Sequence, residues 1–177
     1  MTLEEEAALP AEIRWEGRFI QAITQGRWEY VSRARGIQAA VILAFDAEDR
    51  VILVEQFRVP LARRCLELPA GLVGDEDAGE PVAQAAAREL EEETGYRALR
   101  VEELGFFHAS PGMVSEGFTL VRAHDVVKVA DGGGTGDEDI AVHLVPRNEI
   151  AAFVAAKRAE GVAMDVKLLL LLADTLI

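Results

Sequence analysis

The chain contains one cysteine, three histidines and 18 basic residues against 31 acidic ones, and it has no long apolar run. Each shortage excludes something. Cys65 has no partner for an internal disulfide, so a reducing cytoplasm is the expected compartment. The histidines are scattered, with neither HxH nor HExxH spacing, which argues for structural or surface roles over metal ligation. The longest apolar run, Leu168 to Ala173, is too short to span a bilayer and is bracketed by Lys167 and Asp174. The start, "MTLEEEAALP", is acidic where a secretory signal would be basic. A net charge of −13 argues against nucleic acid as a partner, because phosphate backbones require a basic face. If the substrate is itself a phosphate, cations or a few placed arginines must offset that field.

What is present is an ordinary globular balance: 177 residues, half of them hydrophobic, without repeats or long linkers. Residues 14–33 alternate loosely and predict one or two strands with a turn at Gly26. "IQAAVILAFD" (37–46) and "RVILVEQF" (50–57) are β-branched runs separated by a short acidic turn, and they predict a hairpin. "CLELPAGLVGDEDAGE" reads as loop, punctuated by Pro69 and Gly71. Pro81 and Gly95 bound a helix over 81–94, with Val82, Ala86 and Leu90 as its apolar stripe. Strands are expected over 98–108, 117–129 and 140–146, and helices over 148–160 and 164–176. Strands and helices do not alternate strictly, which predicts an α+β fold with helices around a sheet.

The segment "GDEDAGEPVAQAAARELEEETGY" (74–96) contains a contradiction. Four of the five residues from 89 to 93 are glutamates, at the negative end of the predicted helix. On helical geometry Glu93 lies about 40° to one side of Glu89 and Glu92 about 60° to the other, whereas Glu91 points elsewhere. Three carboxylates on one face repel one another, and clustered oxygens are what hard divalent cations prefer. A solvated acidic face is the plain alternative.

The spacing across this segment weighs against that alternative. Gly74, Glu80, Arg88-Glu89-Leu90, Glu92-Glu93 and Gly95-Tyr96 resemble the Nudix box of the Nudix hydrolases, departing only at Tyr96, where the family has an aliphatic residue. The resemblance implies an α/β/α sandwich with a mixed sheet and a loop–helix–loop. It implies Mg²⁺ or Mn²⁺ held by Glu89, Glu92 and Glu93, with Arg88 orienting these glutamates and Glu93 also serving catalysis. It implies hydrolysis of a nucleoside diphosphate linked to another group.

Further residues resemble the ADP-ribose pyrophosphatase-like (ADP-sugar pyrophosphatase) subgroup. Pro111 follows Gly95 by sixteen residues, and "VILVEQFRVPL" and "LELPAGLV" run into the box as in that subgroup. The likeness implies that Arg58 contacts substrate phosphates and that the Ala70 carbonyl joins the metal. It also implies that Glu116 contacts substrate or the metal's water. "GGGTGDEDIAVHLVP" (132–146) resembles the late loop that delivers the catalytic base, with Glu138 the expected base among Asp137, Glu138 and Asp139, on glycines expected to leave it mobile. Trp28, with Tyr30 and Arg35 nearby, is the candidate platform for the base of a nucleotide. Trp28 equally fits a core residue. The resemblance divides the chain into N-terminal strands over 1–35, exchanged between subunits of a homodimer in relatives, and a Nudix domain over 36–177. The activity it implies is Mg²⁺-dependent hydrolysis of ADP-ribose or a related nucleotide sugar to AMP and a sugar phosphate. The alternatives are a GDP-mannose or other nucleotide-sugar hydrolase, and a non-catalytic nucleotide-binding protein.

Overall fold

The computed structural model describes residues 1–74, 79–136 and 138–176, with the backbone but not the side chain of Arg35. Thr2 caps a single helical turn, α1 (Leu3–Ala7), through a reciprocal contact with Glu5. Strands β1 (Glu12–Glu16), β2 (Ile20–Gln25) and β3 (Trp28–Arg33) then form an antiparallel sheet of their own, turning at Gly26, whose φ of 60° favours glycine. The stretch read as one or two strands over 14–33 thus holds three, with β1 beginning earlier than expected and a further turn over 17–19 beside the one at Gly26.

The body of the molecule is two further sheets. Strands β4 (Gln38–Ala44) and β5 (Arg50–Arg58) follow, then β6 (Arg63–Glu67) and β7 (Ala70–Val73). Helix α2 (Val82–Thr94) comes next, followed by β8 (Tyr96–Arg97), β9 (Arg100–His108), β10 (Gly117–His124), β11 (Val127–Lys128) and β12 (Ala141–Pro146). The chain closes with α3 (Ile150–Ala159), β13 (Ala163–Met164) and α4 (Leu169–Leu176). One sheet runs β7-β4-β10-β9 and the other β12-β5-β6-β13, while β8 and β11 make a small ribbon.

Two expectations are corrected here. The runs now labelled β4 and β5 are not a hairpin: a single bridge, Phe45 to Val51, joins them before they part into different sheets. The reason is that β7 and β10 occupy both edges of β4, antiparallel and parallel respectively, leaving β5 to pair with β12 and β6. The segment read as a loop holds two strands, β6 and β7. Pro69 breaks them apart, and the chain passes from one sheet to the other there.

Alternation within β4 places the layers. Ala40, Ile42 and Ala44 face a core shared with Ala85, Ala86 and Leu90 of α2. Val41 faces a second core with Leu53, Leu66, Ile150 and Val154, reaching α3 and Leu168 ahead of α4. Helices therefore cover both sides, and the fold is the expected α+β sandwich with a mixed sheet. Burying Leu90 completely contributes roughly 1.5–3 kcal/mol and fixes the rotation of α2 about its axis. That rotation decides where the glutamates point.

Candidate active site

Helix α2 starts after Pro81, whose carbonyl accepts from Gln84 and Ala85, and ends at Gly95 in the left-handed region with φ 71°. A Cβ on Gly95 would collide with the carbonyl of Ala130, so only glycine lets the chain fold back there. Thr94, fully buried, donates to Leu90 O and accepts from Tyr96 N at 3.2 Å. Tyr96 is buried against the α2 core, so an aromatic residue fills the aliphatic position of the family pattern.

The last turn of α2 presents Glu89, Glu92 and Glu93 to a cleft of about 710 Å³, while Glu91 faces away and pairs bidentately with Arg97 at 2.8 Å. One nitrogen of Arg88 donates to Glu89 at 3.0 Å and Glu92 at 3.1 Å, and its other nitrogens reach Glu80 at 3.3 Å. The Glu80 contact, followed by the charges of Glu89 and Glu92, holds this guanidinium far above its ordinary pKa. Arg88 thus touches three of the glutamates of the box, Glu80, Glu89 and Glu92. Glu93 is buried and accepts from the Ala70 amide at 3.1 Å. Burial, reinforced by the charges of Glu89 and Glu138 against the Ala70 hydrogen bond, pushes its carboxyl up to about 8. Gly71 lines the same wall because any Cβ there would strike the Glu89 carboxyl.

Arginine–carboxylate pairs build the facing wall. Arg58 grips buried Glu67 bidentately at 2.6 and 2.7 Å, and Arg33 grips Glu116 at 2.6 and 2.7 Å. Glu138 completes the cleft, its carboxylate accepting from Thr135 N at 2.7 Å, while Asp139 is taken by Arg64 at 2.9 Å. Asp137 lies outside the described residues. The glycines of this loop serve geometry: Gly132, Gly133, Gly134 and Gly136 all have positive φ, and Gly132 packs directly on Thr94 and Gly95.

The cleft therefore gathers Glu138, Glu93, Arg88, Arg58, Glu116, Glu89, Glu92 and Ala70 from the residues singled out in the sequence. It does not gather Trp28, which lines a separate pocket of about 300 Å³ with Tyr30, Gln25, Glu6 and Pro111. The Arg35 side chain is outside the described residues. Arg33, Glu67 and Lys167 line the cleft without having been anticipated. Arg33 meets Glu116 across 83 residues of sequence, so no local pattern announces the pair.

The donor chemistry suits a hard divalent cation: carboxylate oxygens surround a half-occluded face, and burial, with the charges of Glu89 and Glu138, pushes the Glu93 carboxyl up to about 8. Among the described residues, however, no three acidic, histidine or cysteine side chains are drawn close enough to hold a metal as they stand. One Arg88 nitrogen instead occupies the space between Glu89 and Glu92, shared by an oxygen of each.

Comparison with known proteins agrees with this geometry. Residues 35–165 match the NUDIX domain, and the chain belongs to the Nudix family. Similar proteins include a GDP-mannose pyrophosphatase of Cronobacter sakazakii, 36% identical over 78% of this chain and 72% of its own length. An ADP-ribose pyrophosphatase of Bacillus subtilis is 44% identical over a shorter stretch, 44% of this chain and 40% of its own. Among solved structures, one described as an ADP compounds hydrolase superposes with a TM-score of 0.69 at 24% identity, covering 95% of this chain and 92% of that one. At that identity the likeness bears on the fold alone.

Proposed function

We propose that this enzyme hydrolyses the pyrophosphate bond of ADP-ribose or a related nucleotide sugar, giving AMP and a sugar phosphate. The observation that carries the reading is the single cleft in which the α2 carboxylates face Arg33, Arg58 and Glu138. Bound Mg²⁺ or Mn²⁺ would neutralise the diphosphate and acidify the attacking water. Glu89, Glu92 and Glu93 would hold it, joined by the Ala70 carbonyl, and this assignment reconciles a chain of net charge −13 with an anionic substrate.

The remaining roles follow from the side chains. Arg58 has two nitrogens fixed on Glu67, which aims the guanidinium along the cleft wall for a phosphate oxygen. Arg33 and Glu116, locked together in the same cleft, border the substrate. Arg88 keeps Glu89 and Glu92 aligned. Glu138 takes a proton from water as its oxygen bonds to phosphorus; the P–O bond to the departing phosphate breaks, and that phosphate keeps the electron pair.

Trp28 stands outside the cleft, so the base platform belongs to a second element of the same proposal. The N-terminal strands, 1–35, exchange between two copies, and Trp28 and Arg35 serve the partner's cleft. Exposed Ile13 and Trp15 on β1 and Phe19 in the turn after it, with Phe106 and Phe107 on β9, support a homodimer in which such surface is covered. The proposed compartment is the cytoplasm, supported by the single buried thiol. No helix among the described residues is long and apolar enough to cross a membrane.

The test is a panel of ADP-ribose, other nucleotide sugars, dinucleotides and triphosphates assayed with Mg²⁺, comparing kcat/KM and identifying products by chromatography. ADP-ribose should give the highest value, with AMP and ribose 5-phosphate in equal amounts. The likeness to a GDP-mannose pyrophosphatase supports GDP-mannose as the second reading, and a clear preference for it would replace the substrate. Failure to turn over any of them would remove the enzymatic reading.

A further inference from the structure

We propose that Arg64, outside the cleft, is a positioning residue that fixes the proposed base Glu138 by strapping down its neighbour Asp139. The inference rests on Glu138 being the base.

The loop that carries Glu138 is fastened at its first end to α2. Gly133 N donates to Glu93 O at 2.8 Å and Gly134 N to Glu92 O at 3.1 Å, so the carbonyls of two proposed ligands hold the loop. Lys128 Nζ reinforces this end, donating to Thr94 O at 3.0 Å and Asp131 O at 3.1 Å. Beyond Gly134, among the described residues, the chain is held before β12 by buried Ile140, whose amide donates to Gly133 O at 3.3 Å, and by Arg64. NH1 of Arg64 donates to the Asp139 carboxylate at 2.9 Å, and NH2 donates to the Asp139 carbonyl at 3.3 Å. Glu138 sits between its own contact with Thr135 N and this strap.

Arg64 can serve as a strap because it is itself immobilised. Its Nε donates to Glu55 Oε1 at 2.9 Å and its NH2 to the Glu55 carbonyl at 2.8 Å. Glu55 is buried, and its second oxygen is taken by His143 Nε2 at 3.1 Å and Lys157 Nζ at 3.0 Å. The rigid fork of a guanidinium spans both acids with one plane, which a lysine ammonium cannot do. Strands β5, β6 and β12 and helix α3 thus converge on one group that ends at the loop. Asp139 is almost fully exposed, so its ion pair contributes little to global stability. Its consequence is local: a base displaced by about 1 Å loses on the order of a hundredfold in rate.

The experiment compares Arg64→Gln, Asp139→Ala and Glu138→Gln, alone and combined, measuring kcat, KM and Tm on ADP-ribose with saturating Mg²⁺. Arg64→Gln also unlinks buried Glu55 and will lower Tm, whereas Asp139→Ala touches nothing buried and should leave Tm unchanged. Each should lower kcat about tenfold with KM within about twofold. In a Glu138→Gln background, Asp139→Ala should cost no more than about twofold further, because there is no longer a base to position. Undiminished kcat in Asp139→Ala, or the same fold-loss in both backgrounds, overturns the strap while leaving the base intact. Full activity in Glu138→Gln removes the base assignment and the strap with it.

Discussion

Helix α2 buries Ala85, Ala86, Leu90, Glu93 and Thr94, while β1 buries none of its five residues. The two regions carry the proposed chemistry and the proposed base recognition, respectively. In α2 one residue set does two tasks: the apolar stripe fixes the helix against β4, and the fixed rotation aims the carboxylates into the cleft. In the N-terminal sheet the tasks are separate. The strands pair among themselves and touch the body along the end of β3: the Val31 amide donates to Met113 O and its carbonyl accepts from Ser115 N, Ser32 Oγ accepts from Ser115 Oγ, and Arg33 grips Glu116. Large apolar side chains there, Ile13, Trp15 and Trp28 among them, remain in water. A region packed into the core and one proposed to be covered by a second copy should answer mutation differently.

The sharpest break is expected in α2. Glu89→Gln and Glu93→Gln each remove a proposed ligand without emptying the core, since Gln keeps the shape of Glu. Metal charge stabilisation is worth several kcal/mol, so kcat/KM should fall on the order of a thousandfold with Mg²⁺ present. Circular dichroism should stay that of the parent. Undiminished turnover in both variants would dissolve the metal assignment and leave α2 as an acidic surface helix.

Trp28 gives the smaller and different effect. Base–aromatic stacking is worth roughly 1–3 kcal/mol, so Trp28→Ala should raise KM about tenfold or more while kcat stays within about twofold. Because Trp28 lies in a pocket apart from the cleft of its own chain, that outcome requires a second copy to bring it to substrate. Sedimentation should accordingly find a dimer. An unchanged KM would return Trp28 to a purely structural place.

The same contrast explains what the sequence disclosed. Helix α2 was legible because Pro81, Gly95 and a four-residue apolar period mark its ends and its face locally. The carboxylates were legible because their spacing is meaningful within one helix. The two strands either side of Pro69 were not, since proline and glycine read as loop when the partners lie in different sheets. The expected hairpin of β4 and β5 failed for a related reason: strands buried on both faces carry no register signal, and β7 and β10 claim both edges of β4. The Arg33–Glu116 and Arg64–Asp139 pairs span 83 and 75 residues, distances over which a single sequence offers no pattern. The glycines of the 132–136 loop were visible, but their reason was not: close packing on Thr94 and Gly95, and φ values that only glycine adopts at ease.

The smallest effect is on stability, and pH reveals it. In the folded protein without metal, Glu93 keeps its proton up to about 8, whereas in the unfolded chain it would release it near 4.5. Between those values the native state binds the extra proton, so each rise in pH favours unfolding. The stability contributed by protonated Glu93 is complete below about pH 4.5 and is lost as pH climbs through about 8. Melting in EDTA should therefore show Tm declining by a few degrees across that window. Glu93→Gln should flatten the slope, because the amide does not titrate. Mg²⁺ should restore Tm at the alkaline end by countering the repulsion among Glu89, Glu93 and Glu138. Glu91→Gln, one residue along the same helix but paired outward with Arg97, should leave both the slope and the Mg²⁺ gain untouched. Equal slopes in the parent and Glu93→Gln would mean that the buried carboxyl finds countercharge within the protein, and that the cation is not what α2 lacks.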